Sequence, residues 1–110
     1  MKNNKEKNKY FTVGSLFAGV GGICLGLQKS EYKNNRFKML WANEIDEYAC
    51  ETYRQNFNHE LLEGDIKQIL HPESSNDINY YTDLREAILK EPIDVLIGGF
   101  PCQAFSIAGE

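Results

Sequence analysis

The run Ile93-Asp94-Val95-Leu96-Ile97 passes directly into Gly98-Gly99-Phe100-Pro101-Cys102. A short apolar segment of this length and β-branched content, broken by two glycines, reads as a buried strand. Pro101 fixes the backbone just before Cys102. A thiol on a rigid turn at the end of a buried strand is where an open α/β sheet holds a nucleophile.

The segments upstream repeat the same grammar. Residues 10–17 read as a first strand, which ends at Ala18-Gly19-Val20-Gly21-Gly22. A helix follows, with Val20, Ile23, Cys24 and Leu27 spaced along one face. Its glycines let backbone approach a ligand and aim helix N–H groups at it. The dinucleotide fingerprint would need glycine where Cys24 stands, which argues against a nicotinamide oxidoreductase.

Residues 37–42 read as a second strand ending in Asn43-Glu44-Ile45-Asp46. Glu44 is placed to accept from ribose hydroxyls, or else is solvated surface, and Asp46 caps a helix over 47–57. That helix carries Ile45, Ala49, Tyr53 and Phe57 as an inward stripe. Residues 61–63 form a short third strand into Gly64-Asp65-Ile66, in isolation a turn and helix cap. Residues 71–77 read as a loop, followed by a helix over 82–91 with Leu84, Ala87 and Ile88 inward, stopped by Pro92. His59 and His71 read as exposed, without metal-ligand partners.

The resulting order, β-α-β-α-β-α-β, predicts a parallel sheet with right-handed crossovers. Residues 17–22, Glu44, Asp65 and the Pro101-Cys102 pair all follow strand carboxyl ends. In an open α/β sheet those ends share one crevice.

Charge limits what this part of a protein does with nucleic acid. The net charge is −4, and residues 1–10 hold four Lys against one Glu. Residues 11–110 therefore carry about −7, whereas a duplex-gripping surface is basic. No apolar run approaches the ~20 residues of a membrane span, and residues 1–9 have no signal-peptide core and read as a flexible tail. Three cysteines without paired spacing suggest reduced thiols in a cytoplasm.

Two stretches carry a resemblance. Phe100-Pro101-Cys102-Gln103, followed by Ala104-Phe105-Ser106, closely resembles the catalytic motif of the DNA (cytosine-5)-methyltransferases. Phe17-Ala18-Gly19-Val20-Gly21-Gly22 is similar to the first motif of that family, and the Asn43 to Asp46 and Gly64 to Ile66 segments follow in family order. The resemblance implies a Rossmann-like α/β fold with a partial parallel sheet that uses S-adenosyl-L-methionine. It implies cofactor contacts from Phe17, Ala18, Gly19, Gly21, Gly22 and Pro101. Glu44 would hold the ribose and Ile45 would pack on the adenine, at a position where relatives often carry an aromatic. Asp65 would bond the adenine amino group, with Ile66 against the ring.

Cys102 would be the nucleophile. Cytosine C5 is too poor a nucleophile to take a methyl group unaided, and a thiolate adding at C6 makes C5 enamine-like. The thiol's ordinary pKa is near ~8.5, and a following helix N-terminus would favour the anion. The target base must also leave its stack. Amino-methylating enzymes carry a different motif at this strand end, while RNA cytosine-5 methylation and a non-catalytic cofactor- or partner-binding remnant remain as alternatives.

Residues 10–110 are thus expected to form the first part of a cofactor-binding catalytic domain of restriction-modification type, acting on DNA through regions mostly elsewhere. The later family motifs have no counterpart here. The chain is expected to be cytoplasmic, inactive alone, metal-free and prone to self-association.

Overall fold

The computed structural model describes residues 9–98. The chain forms β1 (Lys9–Leu16), α1 (Gly22–Lys29), β2 (Glu31–Tyr32), β3 (Asn35–Glu44) and α2 (Glu47–Asn56). It continues through β4 (Glu60–Glu63), α3 (Ile66–Leu70), a 3-10 turn (Pro72–Ser74), α4 (Ile78–Leu89) and β5 (Val95–Gly98). β1 runs parallel to β3 on one side and to β5 on the other, and β4 is parallel to β3 over Trp41–Glu44. The sheet departs from the all-parallel expectation at β2. This two-residue strand folds back on the start of β3 through Lys33 and Asn34, both at positive φ (51° and 70°). Such a pair of left-handed residues matches the twist of a tight hairpin.

The chain builds outward from β1 to β3 to β4, then returns to add β5 on the free flank of β1. The building direction therefore reverses between β1 and β5. Open α/β sheets bind ligands outside their carboxyl ends at such a reversal. Thr12 and Asp94 lock the returning strand: the Thr12 amide donates to Asp94 Oδ2 and the Asp94 amide to the Thr12 carbonyl, each at 2.9 Å.

Helices cover both faces. Consecutive residues Leu61 and Leu62 belong to opposite core clusters, as strand alternation requires. On one face α1 and α2 press Cys24, Tyr53 and Phe57 onto Val13, Met39 and Ala42. On the other, α3 and α4 press Ile69 and Leu84 onto Trp41 and Leu62. A bulge aligns the two faces: Val13 pairs with Met39, but Gly14 pairs with Trp41, leaving Leu40 extra. The Trp41 indole then lies directly over Gly14, where any Cβ would overlap the ring.

Several expected boundaries shift. α4 starts at Ile78 rather than residue 82, because the Asp77 side chain accepts from the Tyr80 amide and caps it there. Asp65 caps a helix over residues 66–70, in keeping with the turn and helix cap read there, and residues 72–74, within the stretch read as a loop, form a 3-10 turn. Along α1 only Cys24 is buried and Leu27 partly so, while Val20 and Ile23 are 58% and 62% exposed. Ile45 also leaves its expected stripe at 61% exposed, and Cys50 takes its place beneath α2.

Candidate functional site

β1 ends in a strained turn. Phe17 adopts φ 54° and is 38% exposed, an uncommon backbone for a bulky aromatic. Left-handed non-glycine residues of this kind persist only where the surroundings hold them, and they gather at ligand sites. The sequence pattern marked Phe17 as a strand end but gave no sign of this strain. Gly21 then stands at φ 101° against the rings of Phe57 and Tyr53, so no larger residue fits there.

α1 begins without a side-chain cap, whereas Asp46, Asp65 and Asp77 cap α2, α3 and α4. A Cβ at Gly19 or Gly22 would meet nothing within 4 Å. The loop therefore presents bare backbone and an uncapped helix start to open space, the arrangement that receives polar or anionic ligand atoms.

Glu44 ties this loop to the neighbouring strands. Its Oε1 accepts from the Gly19 amide at 2.7 Å and its Oε2 from the Asp46 amide at 2.9 Å. Its backbone carbonyl accepts from the Gly64 amide at 2.9 Å. Each carboxylate oxygen keeps a lone pair for a further donor. The glycine loop thus meets Glu44 through the Gly19 N–H itself, a contact that spacing alone did not reveal.

Asp65 caps α3, its Oδ1 accepting from the Lys67 amide at 2.9 Å. Oδ2 has no part in that bond. Ile66 follows as the first residue of α3, half-buried against the second core cluster. Ile45 and Phe17 leave apolar surface at the same rim.

The structure therefore brings together residues 17–22, Glu44, Ile45 and the Asp65-Ile66 pair at the carboxyl ends of β1, β3 and β4. Gly98, the last residue of β5, stands opposite Leu16, one residue before Phe17. Pro101 and Cys102, the expected cofactor contact and nucleophile, lie outside the described residues.

The other thiols are core groups. Cys24 and Cys50 are buried and free. Burial, reinforced by the Glu63 carboxylate, pushes the Cys50 thiol up to about 11, which keeps it protonated and unreactive. It donates to the Glu44 carbonyl at 3.4 Å. His59 is not the exposed residue that composition suggested. It is half-buried, its Nε2 bonded to the Tyr53 hydroxyl, and burial lowers its pKa. Among the described residues no three His, Cys, Asp or Glu side chains gather around a metal-sized space, and no helix is long and apolar enough to cross a membrane.

Comparisons with known proteins point the same way. The family model for C-5 cytosine-specific DNA methylase matches residues 11–110. The type II methyltransferase M.Eco47II of Escherichia coli is 41% identical over 107 residues, covering 96% of this chain and 21% of the relative. M.Bsp6I of Bacillus sp. (strain RFL6) is 40% identical over 97 residues, 88% of this chain and 24% of the relative. M.HpaII of Haemophilus parainfluenzae is 36% identical over 109 residues, 99% and 25% respectively. The chain thus spans about a fifth to a quarter of the length of these relatives.

Proposed function

The chain belongs to the C-5 cytosine-specific DNA methylase family, whose methyl donor is S-adenosyl-L-methionine, and from that premise we propose that it forms the cofactor cradle and nucleophile segment of a DNA methyltransferase. One observation carries the reading: hydrogen bonds join the glycine loop, Glu44 and Gly64 into a single rim along three strand ends. A Rossmann-like arrangement is favoured by the strand order, which reverses between β1 and β5 beside that rim.

The residues fit an adenosine-bearing ligand. The open space above Gly19 and Gly22 leaves room for its chain. Glu44, anchored through both oxygens, retains acceptor capacity for two vicinal hydroxyls. Asp65 keeps one oxygen for an amino group, and Phe17, Ile45 and Ile66 offer apolar surface to a ring. S-adenosylmethionine, when bound, supplies a methyl group carried on a sulfonium. Pro101 contacts the cofactor in this reading, as the sequence motif implies.

Cys102 is the nucleophile. Its thiolate adds to cytosine C6, and the electron pair displaced from the C5–C6 bond makes C5 able to accept a methyl group. Once C5 holds the methyl group, its proton passes to water, the freed electron pair re-forms the C5–C6 double bond, and the C6–S bond breaks with its electrons returning to the Cys102 thiolate. Cys102 follows Gly98 by four chain steps, at most about 14 Å of chain, and Gly98 ends level with Leu16. Both facts favour one cleft for thiol and methyl donor.

Residues 10–110 serve binding and nucleophilic attack, while DNA is gripped elsewhere, because residues 11–110 carry a net charge of about −7. The 110-residue chain alone is expected to bind the cofactor product without methylating DNA. The exposed Leu89 and Leu96, 64% and 58% accessible near and on β5, favour its self-association. The test is calorimetric titration of S-adenosylhomocysteine and of NAD against the 110-residue chain, paired with methyl transfer to DNA after a second chain carrying the remaining segments of a type II relative is added. Binding of the first ligand alone, with transfer abolished by Cys102→Ser but binding kept, supports the reading. Binding of NAD alone, or transfer surviving in Cys102→Ser, overturns it.

A further inference from the structure

Asn43 is a polar residue where an apolar one would be expected. It occupies the penultimate position of β3 and is only 2% exposed. Its side-chain amide donates twice, to the Leu62 carbonyl at 3.0 Å and the Gly64 carbonyl at 2.9 Å. Its own backbone carbonyl accepts from the Ala18 amide at 2.9 Å. One residue thus touches the ends of β1 and β4 while belonging to β3.

The consequence falls on Gly64. Its N–H is held by the Glu44 carbonyl, its C=O by Asn43, and Tyr81 closes the side where a Cβ would project. With φ at 151°, Gly64 takes a backbone conformation that side chains rarely adopt. The fixed carbonyl sets the direction in which the chain leaves toward Asp65. Glu44, in contrast, is anchored from its other side by Gly19 and Asp46.

We propose that Asn43 is the positioning residue that sets Asp65 at the correct separation from Glu44, so that the base and the ribose of one nucleoside are held together. The proposal rests on the adenosine-binding reading above. Asn43 touches no ligand in this role; it acts through the Gly64 carbonyl. Removing its amide leaves two carbonyls without their donor and lets the Gly64-Asp65 turn drift, while the Glu44 anchors remain.

The test is a double-mutant cycle in S-adenosylhomocysteine affinity, measured by calorimetry on the 110-residue chain. Asn43→Ala is expected to weaken binding about tenfold, and Asp65→Asn by a similar factor, each the equivalent of one hydrogen bond. In the Asn43→Ala background, Asp65→Asn should cost less than about twofold, whereas Glu44→Gln should keep its full effect. A merely structural role for Asn43 would lower the melting temperature yet leave the Asp65 effect intact. That additivity, or unchanged affinity in a folded Asn43→Ala variant, overturns the proposal while leaving the adenosine reading standing. Failure of the native protein to bind overturns both. If Asn43→Ala does not fold, Asn43→Ser, which keeps one donor, should show the same coupling at smaller size, and its absence counts equally against the assignment.

Discussion

The two ends of the sheet make unlike clefts. At the carboxyl rim, backbone and carboxylate groups from three strand ends are cross-linked by hydrogen bonds of 2.7–2.9 Å. Toward the amino ends lies a hollow of about 750 Å³, between the middle of β3, the start of β4 and the last turns of α4. A second hollow of about 460 Å³ opens on the other face, beside Tyr10, Arg36 and Asn58. Yet the larger one is walled by Glu60, Asp83, Glu86 and Glu91 with only Lys38 and Lys90 among them. Its charges are scattered along one helix and two strands. Volume marks where packing is loose; a site is marked by groups already held in place for a ligand.

The sharpest way to break that comparison is to disarm each cleft in turn. Glu44→Ala should weaken S-adenosylhomocysteine binding about a hundredfold, since it removes a charged acceptor and frees the glycine loop. Asp83→Ala with Glu86→Ala, on the larger hollow, should leave the same titration unchanged. Equal losses in both variants would erase the distinction.

Next in size is a pair of glycines inside the rim. Gly21→Ala should destabilise by about 3 kcal/mol in urea unfolding, combining a left-handed backbone with collision against Phe57. Gly22→Ala faces open space at the first helical position, so its stability should stay within about 0.5 kcal/mol. The second variant should nevertheless bind the ligand more weakly, because its methyl group enters the cradle.

A smaller effect belongs to the amino-end side, where His59 borders both hollows. Burial holds its imidazole below the ordinary value, so the unfolded chain takes up the proton first. Stability present above about pH 6.5 should therefore fall as pH drops toward the lower folded-state value. Thermal melts from pH 7.5 to 5.5 should show this slope, and His59→Gln should flatten it. The Arg54 to Glu63 pair, 2.8 Å apart but half-exposed on the arginine side, should matter least. Arg54→Met should cost about 0.5 kcal/mol by urea unfolding.

Much of this was legible in the sequence wherever period and punctuation agree. The glycine loop, the Asn43 to Asp46 segment and the strand of Val95 to Gly98 announce themselves because buried strands ending in glycine or acid leave few other readings. The short elements did not. α3 has five residues, too few for a helical period to show, and β2 depends on Lys33 accepting a left-handed backbone. Long-range packing was equally hidden: nothing local tells that Trp41 lies over Gly14, or that Asn43 turns its amide to β4. Val20 and Ile23 fit an inward face by spacing yet remain open, since α1 packs mainly through Cys24 and Leu27. A polar residue among apolar neighbours at a strand end was the one available signal for Asn43.

The carboxylate bridge of Glu44 has a kinetic meaning as well. Because it joins the glycine turn to the start of the next helix, the walls that a nucleoside meets at the rim are tied to one another rather than free to move apart. Association then loses little chain entropy, because the carboxylate already restrains the loop that the ligand must meet.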